Sequence, residues 1–224
     1  MFSWRSTRSS GLLVALAVLL GASAIDAAPT NVRLDVHEFR IVERESGPTN
    51  YYSVVDDPVE PFIRAEYRPG FETAVFGVRL PDSTRRATHL HWDWRARTLP
   101  RDPGMCNAKS GLADTAALIY AIWKRGLRWY TIRYVWSANA PRGNVCNGKR
   151  NLFLAEDTVV LETGDGNGSW VSEDLDLPAE FRRHFSNGDP RADVPDFIGI
   201  GLMTDGDQAR SESAADYADF LVRN

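Results

Sequence analysis

The chain has two cysteines and four histidines in 224 residues, with neither a Gly-x-Ser-x-Gly elbow nor a phosphate-binding glycine loop. The sequence therefore carries no signature of an α/β-hydrolase nucleophile or a nucleotide cradle. A basic block is missing too. Twenty-six Lys and Arg stand against 30 Asp and Glu, for a net charge of -4. Such a mildly acidic chain lacks the cationic stripe that neutralises phosphates, so nucleic acid is not an expected partner. Beyond the N-terminus no run is apolar enough to cross a bilayer. No internal repeat, linker or low-complexity tract divides the chain.

The N-terminus reads as a targeting segment. Arg5 and Arg8 precede the apolar run Gly11–Leu20, and Ala22-Ser-Ala24 is a small-x-small cleavage signal. The run suits a signal peptide and is too short for a membrane span. Residues 1–28 are accordingly set aside, and 29–224 are expected to form one domain, exported to the periplasm or secreted. Cys106 and Cys146 both lie in loops rich in Asn and Gly. An even count in an exported chain predicts one disulfide. A reactive thiol pair would want a Cys-x-x-Cys spacing, which is absent.

Short runs rich in Val, Ile, Tyr, Trp and Thr recur between Gly, Pro, Asn and Asp. Strands are predicted at Val32–Ile41, Tyr51–Val55, Phe62–Tyr67, Thr73–Leu80, Thr88–Arg95, Ala116–Trp123, Thr131–Trp136, Asn151–Glu162, Ser169–Asp174, Phe197–Met203 and Tyr217–Val222. Many short strands with little helix indicate an all-β protein, a single antiparallel β-sandwich. One short helix is expected at Pro178–Phe185. Pro178 suits its first turn, Leu177, Phe181 and Phe185 make its apolar stripe, and Asn187-Gly188 ends it.

Within Thr88–Arg95, alternation puts Leu90, Trp92 and Trp94 on one face and His89, His91, Asp93 and Arg95 on the other. Two imidazoles spaced i, i+2 can reach one metal, so His89 and His91 are candidate ligands, with Asp93 extending the pattern. In Thr131–Ser137, Ile132, Tyr134 and Trp136 share a face opposite Arg133. Tyr134 and Trp136 are candidates to stack on sugar rings, whose faces are flat and apolar, although such residues also fill sandwich cores. The loop Thr204–Gln208 holds Asp205 and Asp207. Oxygen ligands on a tight loop suit calcium, and turn-forming aspartates that accept backbone N–H groups are the alternative. The later ligands of an EF-hand loop are absent. Asn167-Gly-Ser169 is a glycosylation sequon, relevant only in a eukaryotic host.

Several pieces occur in one order: Trp92-Asp-Trp-Arg95, Asp114 before Thr115–Trp123, Tyr134-Val-Trp136, Glu162-Thr-Gly164 with Trp170, Ile200–Asp207 and Tyr217-Ala-Asp219. This set resembles a bacterial family known as domain of unknown function 3047, over about Tyr51 to Val222. The resemblance implies an exported jelly-roll-like sandwich, similar in outline to carbohydrate-binding modules; it brings no established activity to carry over. An acidic pair is usual before the hydrophobic strand, where here only Asp114 stands. His89, His91 and the cysteines fall outside the pattern. Its recurring polar residues map to Arg95, Asp114, Asp205, Asp207 and Asp219. They would either form a structural ion-pair network or line a polar pocket.

Three functions follow as expectations. The first is a non-catalytic binding protein for a glycan or cell-envelope polymer, using Arg95, Asp114, Arg133, Tyr134, Trp136, Asp205 and Asp207. The second is a glycan hydrolase or lyase, drawing acid and base from Asp93, Asp114, Asp205 and Asp207 or using His91 as base. The third is a structural or assembly factor of the envelope.

Overall fold

Side chains that alternate between a dry and a wet face build two sheets, and the dry faces meet. A computed structural model describes residues 31–44, 51–101, 106 and 114–224. The expected signal peptide lies outside the described residues. The described strands are β1 (Asn31–Arg33), β2 (Arg40–Arg44), β3 (Tyr52–Val55), β4 (Phe62–Tyr67), β5 (Ala74–Arg79), β6 (His89–Thr98), β7 (Ala117–Arg125), β8 (Arg128–Ser137), β9 (Val145–Arg150), β10 (Leu154–Thr163), β11 (Val171–Asp176), β12 (Asp196–Met203) and β13 (Ser213–Arg223). The first sheet runs β11-β6-β13-β4-β3, with β1 also paired to β13; the second runs β2-β5-β12-β7-β8-β10-β9. The fold is a β-sandwich of the jelly-roll kind. No described helix is long and apolar enough to cross a membrane.

The core is aromatic. Trp92, Trp94, Trp123, Trp136, Tyr134, Tyr217, Phe39, Phe197 and Phe220 are all fully buried. Each large ring removes about 150–250 Å² from water, a gross gain of about 4–6 kcal/mol before entropy is charged against it. The rings interlock edge to face: Trp92 on Trp94 at 5.5 Å and Trp94 on Trp136 at 5.7 Å, the latter across the two sheets.

The helix α1 (Leu177–Phe185) begins where Asp176 accepts the N–H of Ala179 at 2.8 Å. It ends as Asn187 and Gly188 turn to positive φ and Gly188 N–H reaches the Arg182 carbonyl at 2.8 Å. Phe181 packs against Trp123 and Tyr130, so the helix closes one end of the core.

Three sequence expectations are corrected. Val32–Ile41 is not one strand. Asp35 accepts the His37 N–H and caps a 3-10 turn at Val36–Glu38, which carries the chain from β1 in the first sheet to β2 in the second. An additional strand, β9, forms from Val-Cys-Asn-Gly-Lys-Arg, which has little apolar alternation because it is a sheet edge. The sandwich is also not wholly antiparallel. The chain leaves β8, takes the edge as β9, and returns as β10 in the gap between, parallel to β8. The expected Cys106–Cys146 disulfide is present, with Cα atoms 5.5 Å apart, and ties a loop to β9.

Candidate functional site

The chemistry-bearing side chains gather at four places. The first is the outer face of the first sheet. Register places Arg95 of β6 opposite Asp216 of β13, and Asp216 opposite Arg64 of β4. Arg95 donates to Asp216 Oδ2 from Nη2 at 2.7 Å and from Nε at 2.9 Å. Arg64 Nε donates to Oδ1 at 3.0 Å, and Arg97 Nη1 approaches the same oxygen at 3.5 Å while holding Glu66 at 3.1 Å. Three guanidiniums enclose Asp216 completely, each itself part-exposed. Beside them Arg95 Cζ lies 4.5 Å from the centre of the Trp170 ring, and Phe62 meets Trp170 edge-on at 5.7 Å. Trp170 stays 39% exposed.

The second place is further along the same face. His91 Nε2 lies 3.6 Å from Asp93 Oδ1 and 3.5 Å from Asp219 Oδ2. His89 is not part of this group. Its Nδ1 turns to Thr88 Oγ1 at 3.0 Å, and its register partner is Arg223, a cation. The expected His89–His91 pair is therefore replaced by His91, Asp93 and Asp219.

The third place is the acidic loop. Asp114, Asp205 and Asp207 present carboxylate oxygens all within 4.8 Å of one another. Asp114 is 0% and Asp205 3% exposed. Asp114 accepts the N–H groups of Gln208 and Ala209, and Asp205 Oδ1 accepts the Asp207 N–H at 3.1 Å and the Thr73 hydroxyl at 3.3 Å. Burial, then the charge on Asp207, pushes Asp205 up to about 7. Burial likewise raises Asp114. Among the described residues no Lys, Arg or His forms an ion pair with any of the three. Asp207 Oδ1 is shielded from water without a hydrogen-bond partner. Hard oxygen donors and an orphaned carboxylate oxygen fit calcium. Asp114 and Asp205 are enclosed, and Asp207 is only partly exposed.

The fourth place lies beneath α1. Tyr134 donates its hydroxyl to Glu180 Oε2 at 3.2 Å, and His184 Nδ1 lies 2.9 Å from Asp157 Oδ2, whose other oxygen takes Arg150 at 2.6 Å. Tyr134 is 0% and Trp136 1% exposed. Trp136 Nε1 donates to the Gly164 carbonyl at 2.7 Å. Both rings are core, so neither is a stacking platform. Arg133, on the opposite face of β8, is held by its neighbour β10 through Glu156 at 3.2 Å and Thr158 at 3.0 Å. Arg95, Asp114, Asp205, Asp207 and Asp219 thus form no single network: Arg95 joins Asp216, Asp219 joins His91, and the other three form the loop cluster. Sequence reasoning missed Asp216, Arg64 and Arg97. A charged residue in phase with outward positions of an apolar strand was the available signal.

Residues 38–221 match the family described as Protein of unknown function (DUF3047), and the chain belongs to that family. No curated protein matches. Among solved structures, the chain is similar to a family 11 carbohydrate-binding module from Clostridium thermocellum in complex with a beta-1,3-1,4-mixed-linked tetrasaccharide. Identity is 11%, coverage 86% of this chain and 94% of that chain, and the TM-score 0.40. It is similar also to endoglucanase cel12A from Rhodothermus marinus, at 11% identity, 87% and 99% coverage and a TM-score of 0.40. The xyloglucanase domain of NopAA from Sinorhizobium fredii, in complex with cellobiose, gives 10%, 83%, 98% and 0.40. These likenesses are of layered strand architecture and go no further.

Proposed function

We propose that the chain is an exported, non-catalytic protein that binds a glycan or cell-envelope polymer on the outer face of its first sheet. Trp170 supplies the stacking surface, and Arg95, with Arg64 and Arg97, supplies donors. The observation that carries this reading is Trp170 itself. Its indole is fixed by Arg95 and Phe62 yet remains 39% exposed. An aromatic ring immobilised before binding loses little entropy on meeting a sugar face. Three guanidiniums sharing Asp216 and Glu66 leave a surplus of positive charge beside it, which favours hydroxyl and acidic groups. The disulfide and the targeting segment expected at 1–28 support export. Calcium at Asp114, Asp205 and Asp207 is a structural part of the same proposal.

A specific observation favours the hydrolase reading. Burial, and then the charge of Glu162, pushes Glu173 up to about 7, the protonation state that a general acid needs near neutrality. One experiment separates the readings. The mature protein, with its disulfide intact, is incubated with soluble and insoluble polysaccharides including peptidoglycan, with calcium or chelator. Depletion from solution without new reducing or unsaturated ends, lost in Trp170→Ala, is the expected result. New ends would overturn non-catalytic binding and move the assignment to a hydrolase or lyase. Neither signal would move it to an assembly factor.

A further inference from the structure

We propose that His91, Asp93 and Asp219 form a site for one divalent transition-metal ion of the zinc class. The backbone is arranged to bring the third ligand. In β13 the register with β6 slips between Ala218, opposite Asp93, and Leu221, opposite His91. Strict alternation from outward-facing Asp216 would turn position 219 into the core. One extra residue at this bulge keeps Asp219 outside and sends Phe220 into the core, where it is 1% exposed. Asp219 accepts a left-handed backbone, φ 48°, to do this.

The distances suit a coordination shell. An ion bound at about 2.0–2.1 Å by tetrahedral ligands has ligand–ligand edges of about 3.3–3.4 Å. The imidazole Nε2 already stands 3.6 and 3.5 Å from the two carboxylates. Asp93 Oδ1, the oxygen that faces His91, is shielded from water and lacks a hydrogen-bond partner. Arg33 Nη1 stands 2.6 Å from Asp219 Oδ1, so Oδ2 is the oxygen turned to His91. On the far side of the ring, Asp174 Oδ2 lies 3.8 Å from Nδ1, beyond hydrogen-bond length, and pairs with Arg223. A nitrogen donor with two carboxylates selects zinc-like ions over calcium or magnesium. The three side chains are each about one-fifth to one-quarter exposed, so an ion reaches them from the outer face of the sheet. The site is independent of the glycan reading, since metal binding is measured without any polymer.

The test uses full mature protein without a histidine tag, stripped with chelator and dialysed against Zn²⁺ in excess calcium. Wild type is expected to retain one equivalent. His91→Asn and Asp219→Asn lose it. His89→Asn, whose ring turns to Thr88 instead, retains the full equivalent. Binding by wild type no greater than by His91→Asn, or undiminished in Asp219→Asn, overturns the proposal. Should a variant fail to fold, imidazole ¹⁵N spectra of wild type decide. The His91 resonances shift on adding Zn²⁺ while those of His89 do not, and unshifted His91 resonances overturn the site.

Discussion

Arg95 Nη2 lies 2.7 Å from Asp216 Oδ2, and that carboxylate is wholly enclosed although it stands on the outer face of a sheet. Its enclosure is made by Arg95, Arg64 and Arg97. Desolvating an aspartate is costly, and only the forked guanidiniums offset that cost. Asp216→Ala is expected to destabilise the fold by about 3–5 kcal/mol, because three cations lose their shared partner. Arg95→Met should cost less, since Arg64 and Arg97 remain. The double variant should lose less than the sum of the two, as expected for partners in one network. Urea unfolding of the four proteins checks this; strict additivity would sink it.

Trp136 and Trp170 have opposite roles, and one pair of variants separates them. Trp136 sits against Trp94 in the core, so Trp136→Ala should cost about 3–5 kcal/mol through the cavity it leaves. Trp170→Ala should change stability by less than about 1 kcal/mol and weaken glycan retention at least about tenfold. Thermal midpoints and polysaccharide depletion, measured on the same samples, decide. Retention unchanged by Trp170→Ala would remove the stacking surface from the proposal.

Local patterns were legible in the chain and distant ones were not. The alternation of His89-Leu-His-Trp-Asp-Trp-Arg95 is complete within one strand, so its dry and wet faces are read directly. The helix carries its own start and stop in Asp176, Pro178 and Gly188. Alternation states that Tyr134 and Trp136 share a face, but not which face meets water; the first sheet settles that, by bringing Trp92 and Trp94 of β6 against them. Asp219 joined His91 only through a bulge, and Asp216 met its arginines through register with β6 and β4. Both are pairings between segments far apart in sequence.

The acidic loop gives stability a pH dependence whose sign depends on calcium. Asp205 is raised from 3.8 to about 7 in the fold, by burial first and the charge of Asp207 second. The folded state then holds its proton more tightly than the unfolded chain, so this group's contribution falls as pH rises from about 4 through about 7. In calcium-free buffer at pH 8, Asp205→Asn is expected to be about 1–3 kcal/mol more stable than wild type, and the gap should close toward pH 4. In millimolar calcium the order should invert, because wild type gains ligand-linked stability that the variant lacks. Thermal melts over pH with calcium or chelator measure both. A wild type insensitive to calcium would exclude the loop as an ion site.

The contact that holds α1 to the second sheet should show the opposite pH behaviour. Asp157 is 1% exposed, and burial alone would raise its pKa. Hydrogen bonds from His184 and Arg150 outweigh that and lower it below its ordinary 3.8. A depressed folded value means that the stabilisation is present above about pH 4 and is lost as pH falls through the folded pKa. Asp157→Asn retains the shape of the side chain but not its charge. It is expected to cost about 2–4 kcal/mol near neutrality, since the His184 ring and the Arg150 guanidinium lose a charged acceptor. The difference from wild type should shrink as pH falls below about 4. Tyr130 and Trp123 pack on Phe181 of α1, so release of the helix should also appear as a change in near-ultraviolet circular dichroism. A wild-type–variant difference that persists undiminished at pH 3 would show that Asp157 acts through packing and not through its charge.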